Sequence, residues 1–215
     1  ANCAEDKSGR EALLSLKATE AIDSLLRSVE PALPHLVPNL LLCLSNCSAD
    51  YKNVTYMARL NVLDVVCKIV NGQGAEVAMG SEAVKSDLLS PALKLITRSC
   101  DKNADSRIAV RRNDCLGTLV QLLSPAPDGT AGSYSESGCA ALTAATLDYI
   151  NRMELQKIGT AIPALTALVK PAPPTADADG AAAPATAAGG VADDSFAPAG
   201  VSEACQYSAV QCLAL

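Results

Sequence analysis

An apolar helical skeleton recurs four times along this chain, and that repetition narrows the possible fold more than any other feature. It stands at Ile22-Asp23-Ser24-Leu25-Leu26-Arg27 and at Val62-Leu63-Asp64-Val65-Val66-Cys67-Lys68-Ile69. It returns at Leu116-Gly117-Thr118-Leu119-Val120-Gln121-Leu122-Leu123 and at Ile162-Pro163-Ala164-Leu165-Thr166-Ala167-Leu168-Val169. The steps between first residues are 62 − 22 = 40, 116 − 62 = 54 and 162 − 116 = 46, lengths at which helical solenoids repeat. A short helix precedes each copy, at Gly9–Leu14, Asn53–Met57, Ser106–Val110 and Asn151–Leu155. Asp, Asn and Ser residues cluster just upstream, where a helix start takes up side-chain acceptors. A longer apolar helix follows each copy, at Leu36–Cys47, Glu82–Cys100, Glu136–Ile150 and Ser202–Leu215.

The residue types agree with helices packed on helices. Of the 215 residues 49% are apolar but only 3% aromatic, with one Phe and no Trp, so Leu, Val, Ile and Ala must fill the interior. Runs with strand-like alternation are absent, and the expected class is all-α. One such helix set cannot cover its own apolar face, so neighbours have to stack and share a core. The last helix would by itself expose Val210, Leu213 and Leu215, which reads as the third helix of a further unit continuing past Leu215.

The three-helix order resembles the armadillo repeat family: a short helix, then an Ile-Pro-x-Leu-x-x-Leu-Leu helix, then a long helix ending near Ala-Leu-x-Asn-Leu. Gly159-Thr160-Ala161-Ile162-Pro163-Ala164-Leu165 and Leu42-Cys43-Leu44-Ser45-Asn46-Cys47-Ser48-Ala49-Asp50 carry the resemblance. It implies a right-handed α-solenoid, with a HEAT-type solenoid as the structural alternative. The expected layout is about four units over 1–170, with insertions at 70–81 and 124–135. A flexible Ala/Pro/Gly/Asp-rich loop over 171–201 follows, in which Phe196 is the one bulky residue, and then the helix at 202–215. Pro38 and Pro91 are placed alike in their helices, and Ser90-Pro91 reads as an N-cap with a first-turn proline, so both helices are expected to break or kink there.

In armadillo proteins the third helices line a concave groove, and the importin-α adaptors clasp basic peptides there with a Trp/Asn ladder. Here Asn46 matches the Asn position, Leu42 stands at the Trp position, and the next unit offers Leu95 and Ser99. Without Trp, Lys and Arg stems have no indole face to stack on, so binding of a basic nuclear import signal is not expected. Arg107, Arg111 and Arg112, with Arg98 and Lys102 nearby, form a candidate basic patch for an acidic partner segment such as a tubulin tail. Asp101 and Asp105 lie among them, and a solvated charged face is the plainer reading.

Other chemistries lack their residues. The net charge is −6, and Asp177, Asp179, Asp193 and Asp194 account for four of those charges within 171–201, so there is no basic footprint for nucleic acid. The chain has no phosphate loop, no G-x-G-x-x-G and no G-x-S-x-G. His35 is the only histidine and reads as a structural or capping residue; no catalytic residue, cofactor or metal site is assigned. Nine cysteines lie in apolar helical runs without a C-x-x-C pair, which reads as reduced thiols packed as small hydrophobes in a reducing compartment; disulfides are the alternative. No uninterrupted apolar stretch approaches the ~20 residues of a membrane span. The expected function is a non-catalytic protein-binding scaffold or adaptor, cytoplasmic and part of a hetero-complex, such as the armadillo proteins of the ciliary and flagellar axoneme. The alternatives are a peptide-binding carrier, or the substrate-binding arm of a larger enzyme such as a ubiquitin ligase.

Overall fold

The computed structural model describes residues 2–28, 36–72, 82–124, 134–169 and 202–214. Among these residues there are twelve α-helices, one short 3-10 turn and no strand, so the chain is all-α. The helices fall into triplets in chain order. The first is α1 (Lys7–Ser15), α2 (Ala18–Ser28) and α3 (Leu36–Cys47); the second is α4 (Tyr51–Arg59), α5 (Val62–Val70) and α6 (Glu82–Lys102). The third is α7 (Ala104–Arg112), α8 (Cys115–Gln121) and α9 (Ser135–Ala145), and the fourth is α10 (Tyr149–Lys157), α11 (Ala161–Val169) and α12 (Glu203–Leu213).

Each triplet opens on a polar cap: Asp6, Asp50, Asn103 and Asp148. The side chains of Asp6, Asn103 and Asp148 accept the backbone N–H three residues on, from Gly9, Ser106 and Asn151, which satisfies a donor the helix itself leaves open. Asp50 makes no such bond and instead receives Arg10 Nε at 2.5 Å. Gly9 has a steric reason: a Cβ there would lie 1.7 Å from the Cys3 carbonyl oxygen. At one fixed distance past the first three caps the chain turns through the left-handed region, at Lys17 (φ 54), Asn61 (φ 55) and Asp114 (φ 52). Asn and Asp tolerate that region better than most side chains.

Counted from the caps, the second helices bury equivalent positions. Leu63, Leu116 and Ala161 correspond, as do Cys67, Val120 and Leu165, and Leu26, Val70, Leu123 and Leu168. This register differs from the one the apolar skeleton gives. Ile22 pairs with Val66 and Leu119, one helical turn beyond Val62 and close to a turn beyond Leu116, and Ile162 is 59% exposed on the outer side. A shift of three or four residues preserves an i, i+3/i+4 apolar pattern, so hydrophobicity alone accepts either alignment; the caps and the left-handed turn select one.

The triplets pack in sequence. α3 lies on α6, α6 on α9 and α9 on α12, while α2, α5, α8 and α11 form a second row behind them. One continuous apolar cluster runs through both rows, including Leu41, Leu44, Leu93, Leu95, Ile96, Leu119 and Leu142. Each fully buried Leu or Ile contributes roughly 1.5–3 kcal/mol. Polar staples cross the seams. Arg98 Nη1 donates to Ser45 O at 2.9 Å and Lys102 Nζ to Ser48 O at 2.8 Å, placing two cations at the C-terminal end of α3. Arg27 Nη2 reaches the Leu60 and Asn61 carbonyls at 3.3 and 3.1 Å.

The structure bears on four sequence expectations. α6 runs through Pro91 without a break, and Ser90 is not a cap; Pro38 sits in the first turn of α3, where a missing N–H costs little. The third long helix ends at Ala145, because Asp148 caps α10 and Tyr149 already belongs to it. α12 packs on α11 and α9 and so closes the fourth triplet. The expected insertions at 70–81 and 124–135, the 171–201 loop with Phe196, and His35 fall wholly or mostly outside the described residues.

Candidate functional site

The exposed sides of the third helices are the first place to look for a binding surface. On α3, Leu42 is 37% exposed and Asn46 half-buried, as expected for surface positions. On α6 the expectation fails. Leu95 is 0% and Ser99 2% exposed, inside the core, while Lys94 and Asp101 face solvent and Arg98 is half-buried. Burial in α3 and α6 agrees when Leu42 is set against Lys94 and Asn46 against Arg98. Aligning the two prolines shifts this by one residue, which turns a helix by about 100° and exchanges surface for interior.

The candidate basic patch is also corrected, because each of its arginines is engaged by the chain. Arg107 Nη1 donates to Cys100 O at 2.6 Å. Arg111 Nη1 reaches Asp148 Oδ1 at 2.9 Å and Asn151 Oδ1 at 2.8 Å. Arg112 Nη2 reaches both carboxylate oxygens of Asp64, at 2.6 and 2.7 Å. These side chains fasten consecutive triplets. A repeated signal in the sequence marks part of the device: an Arg stands four residues after three of the four caps, at Arg10, Arg107 and Arg152. Each donates backward to carbonyls preceding its own helix: Ala4 and Glu5, Cys100, and Thr146 and Leu147 respectively.

Asp64 carries a pH-dependent part of this seam. Burial alone would raise its pKa, but hydrogen bonds from Arg112 and Asn113 outweigh it and hold the carboxyl below its ordinary value. A carboxyl depressed on folding stabilises above its unfolded pKa of about 3.9, and that stabilisation fades as pH falls through the folded value. Asp64→Asn is therefore expected to flatten the loss of stability below about pH 4 in urea melts at a series of pH values. An unchanged acid limb would show that the Arg112–Asp64 pair contributes nothing to it.

Among the described residues, exposed large apolar side chains are most numerous in the fourth triplet. Tyr149 is 65%, Ile162 59%, Tyr207 67%, Val210 47% and Leu213 40% exposed. Inner third helices do not look like this. α9 buries seven of its eleven residues against α6, α8 and α12, whereas Cys205, Ala209 and Cys212 alone are buried among the described side chains of α12. Ile162 and Leu213 meet at a cleft of about 100 Å³, lined also by Arg152, Leu155, Leu165 and Cys212. Two wider clefts, of about 290 and 440 Å³, lie between successive first helices and are lined by residues of both charge signs. Among the described residues no group of three His, Cys, Asp or Glu side chains is arranged to hold a metal ion, and no helix is long and apolar enough to cross a membrane. No known family model matches the chain, and no curated protein does either.

Proposed function

We propose that the chain is an armadillo-type, right-handed α-solenoid segment that works as a non-catalytic protein-binding scaffold. The observation that carries this reading is the stacking of four capped helical triplets in two rows around one continuous apolar cluster. A stack of this kind presents extended faces to other proteins, and in this chain large apolar side chains stand exposed on α10, α11 and α12. Leu42 and Asn46 on α3, with Lys94 in the equivalent row of α6, offer a second and more polar face.

The arginine staples bear on which partners fit. Arg98, Arg107, Arg111 and Arg112 are occupied by carbonyls, carboxylates and an amide of the chain, so an acidic tail would have to displace existing bonds. That weighs toward apolar association, as in a fixed component of a large hetero-complex, and we place the axonemal armadillo proteins as the working comparison. The carrier reading needs a peptide groove, and the row over α3 and α6 holds Leu42 and Lys94 where an importin-type ladder would stack a cation.

Affinity capture of the chain from its native cells, with cross-linking and mass spectrometry, tests the proposal. The expected result is a stoichiometric protein partner that is retained by the wild type and lost in Val210→Asp/Leu213→Asp. Both positions are substantially exposed, so the variant is expected to keep its stability to within about 1 kcal/mol. Axonemal proteins among the partners favour the fixed-component form, and a basic peptide cargo the carrier form. A wild-type chain that captures no stoichiometric partner overturns the scaffold reading.

A further inference from the structure

Asn71 is the only asparagine in the chain that precedes a glycine. In that dipeptide the following backbone nitrogen attacks the side-chain amide most readily, because glycine sets no side chain beside it. Asn71 is the C-cap of α5, and Gly72 turns through the left-handed region at φ 68. Asn71 is half-buried and Gly72 exposed, where the second triplet meets the third.

Every group that such an attack needs is engaged. Asn71 Nδ2 donates to the carbonyl of Asn113, the C-cap of α7, at 2.8 Å. Asn71 Oδ1 accepts Thr118 Oγ1 of α8 at 2.7 Å, and the Gly72 N–H donates to Ile69 O at 3.0 Å. A carbonyl only accepts, so Asn113 O fixes which end of the amide is nitrogen. Asn113 is held in turn, its Nδ2 donating to Asp64 Oδ1 at 2.8 Å. The first seam has the same joint. Arg27 stands as far past Asp6 as Asn71 past Asp50, and it donates to Leu60 O, which is as far past Asp50 as Asn113 is past Asn103. An arginine makes the joint there and a hydrolysable amide makes it here.

We propose that Asn71 is a deamidation site held closed by the seam between the second and third triplets, and that its conversion loosens that seam irreversibly. These are side-chain bonds at the end of a helix, so parting α5 from α7 and α8 frees the amide without unfolding the whole chain. The Gly72 nitrogen then attacks Asn71 Cγ: the N–C bond forms, the Cγ–Nδ2 bond breaks, and ammonia leaves with the Gly72 proton. Water opens the five-membered imide at either carbonyl, giving aspartate or isoaspartate in place of Asn71. No electrons are exchanged. The product cannot donate to Asn113 O and sets a carboxylate oxygen against that carbonyl, and isoaspartate also lengthens the main chain at the end of α5.

The test incubates the whole chain in mildly alkaline buffer, folded and in urea, and follows Asn71 by mass spectrometry. Cleavage after lysine and arginine leaves it within 69–85, and fragmentation separates it from Gln73. An unincubated digest sets the background. Conversion is expected to be at least about tenfold slower in the folded chain than in urea. Thr118→Val removes the hydroxyl that holds Oδ1; it is expected to speed conversion severalfold in the folded chain and to leave the rate in urea unchanged. The converted wild-type chain, separated by its added negative charge, is expected to unfold at lower urea, and Asn71→Asp to do the same. Equal rates in the folded and unfolded chain, an unaltered folded rate in Thr118→Val, or an unchanged urea midpoint after conversion overturns the proposal. The wild-type rates and midpoints decide even if a variant folds poorly.

Discussion

Asn151→Leu is expected to lower the unfolding free energy by about 3 kcal/mol, measured by urea denaturation. Asn151 is 0% exposed, and its side chain ties α10 to two other helices, α7 and α9. Nδ2 donates to Arg107 O and Ala145 O, each at 2.9 Å, and Oδ1 accepts Arg111 Nη1 at 2.8 Å. Leucine has nearly the same volume, so the loss is one of hydrogen bonding rather than packing. Two carbonyls and a guanidinium each lose a hydrogen bond where water enters poorly. Asn151 and Arg111 are further expected to couple by about 1 kcal/mol in a double-mutant cycle, because they share one bond and a common neighbour in Asp148. A variant within about 0.5 kcal/mol of wild type would mean the third and fourth triplets are not joined through this amide.

Leu95→Ala carries the second large effect, about 3 kcal/mol, while Lys94→Ala is expected to stay within about 0.5 kcal/mol. The two residues are neighbours in sequence and opposite in environment: Leu95 is 0% exposed in the apolar core, and Lys94 faces solvent. Truncating Leu95 removes apolar contacts and leaves a cavity that the surrounding core cannot fully close. The pair of melts reads the register of α6 directly. Equal and small effects would return Leu95 to the surface, where the proline alignment puts it.

The position of every described helix was within reach of sequence reasoning, and the reason is redundancy. An amphipathic helix announces itself through many residues, and here through four copies, so Ala18–Ser28, Val62–Val70, Cys115–Gln121 and Ala161–Val169 all fall where the apolar skeleton lies. The surface was far less legible. Whether a residue such as Leu95 or Ile162 points in or out depends on phase, and phase shifts by a large angle for each residue of misalignment. Asp6, Asp50, Asn103 and Asp148 fix that phase, yet a lone Asp or Asn before a helix is too common a signal to outweigh an apolar pattern. The arginines were misread for a related cause. A cluster at Arg107, Arg111 and Arg112 looks the same in sequence whether it meets solvent or the carbonyls of a neighbouring triplet.

By itself the sequence determined the class of structure: helices of set length and order, rich in aliphatics, with no strand pattern and no aromatic ladder. Those properties are local or additive, and each is written in the residues that carry it. The tertiary structure alone decided which side of each helix is interior and which polar groups are spent on seams, because these depend on contacts between residues 40 or more apart in the chain, such as Arg10 with Asp50 or Cys139 with Cys205.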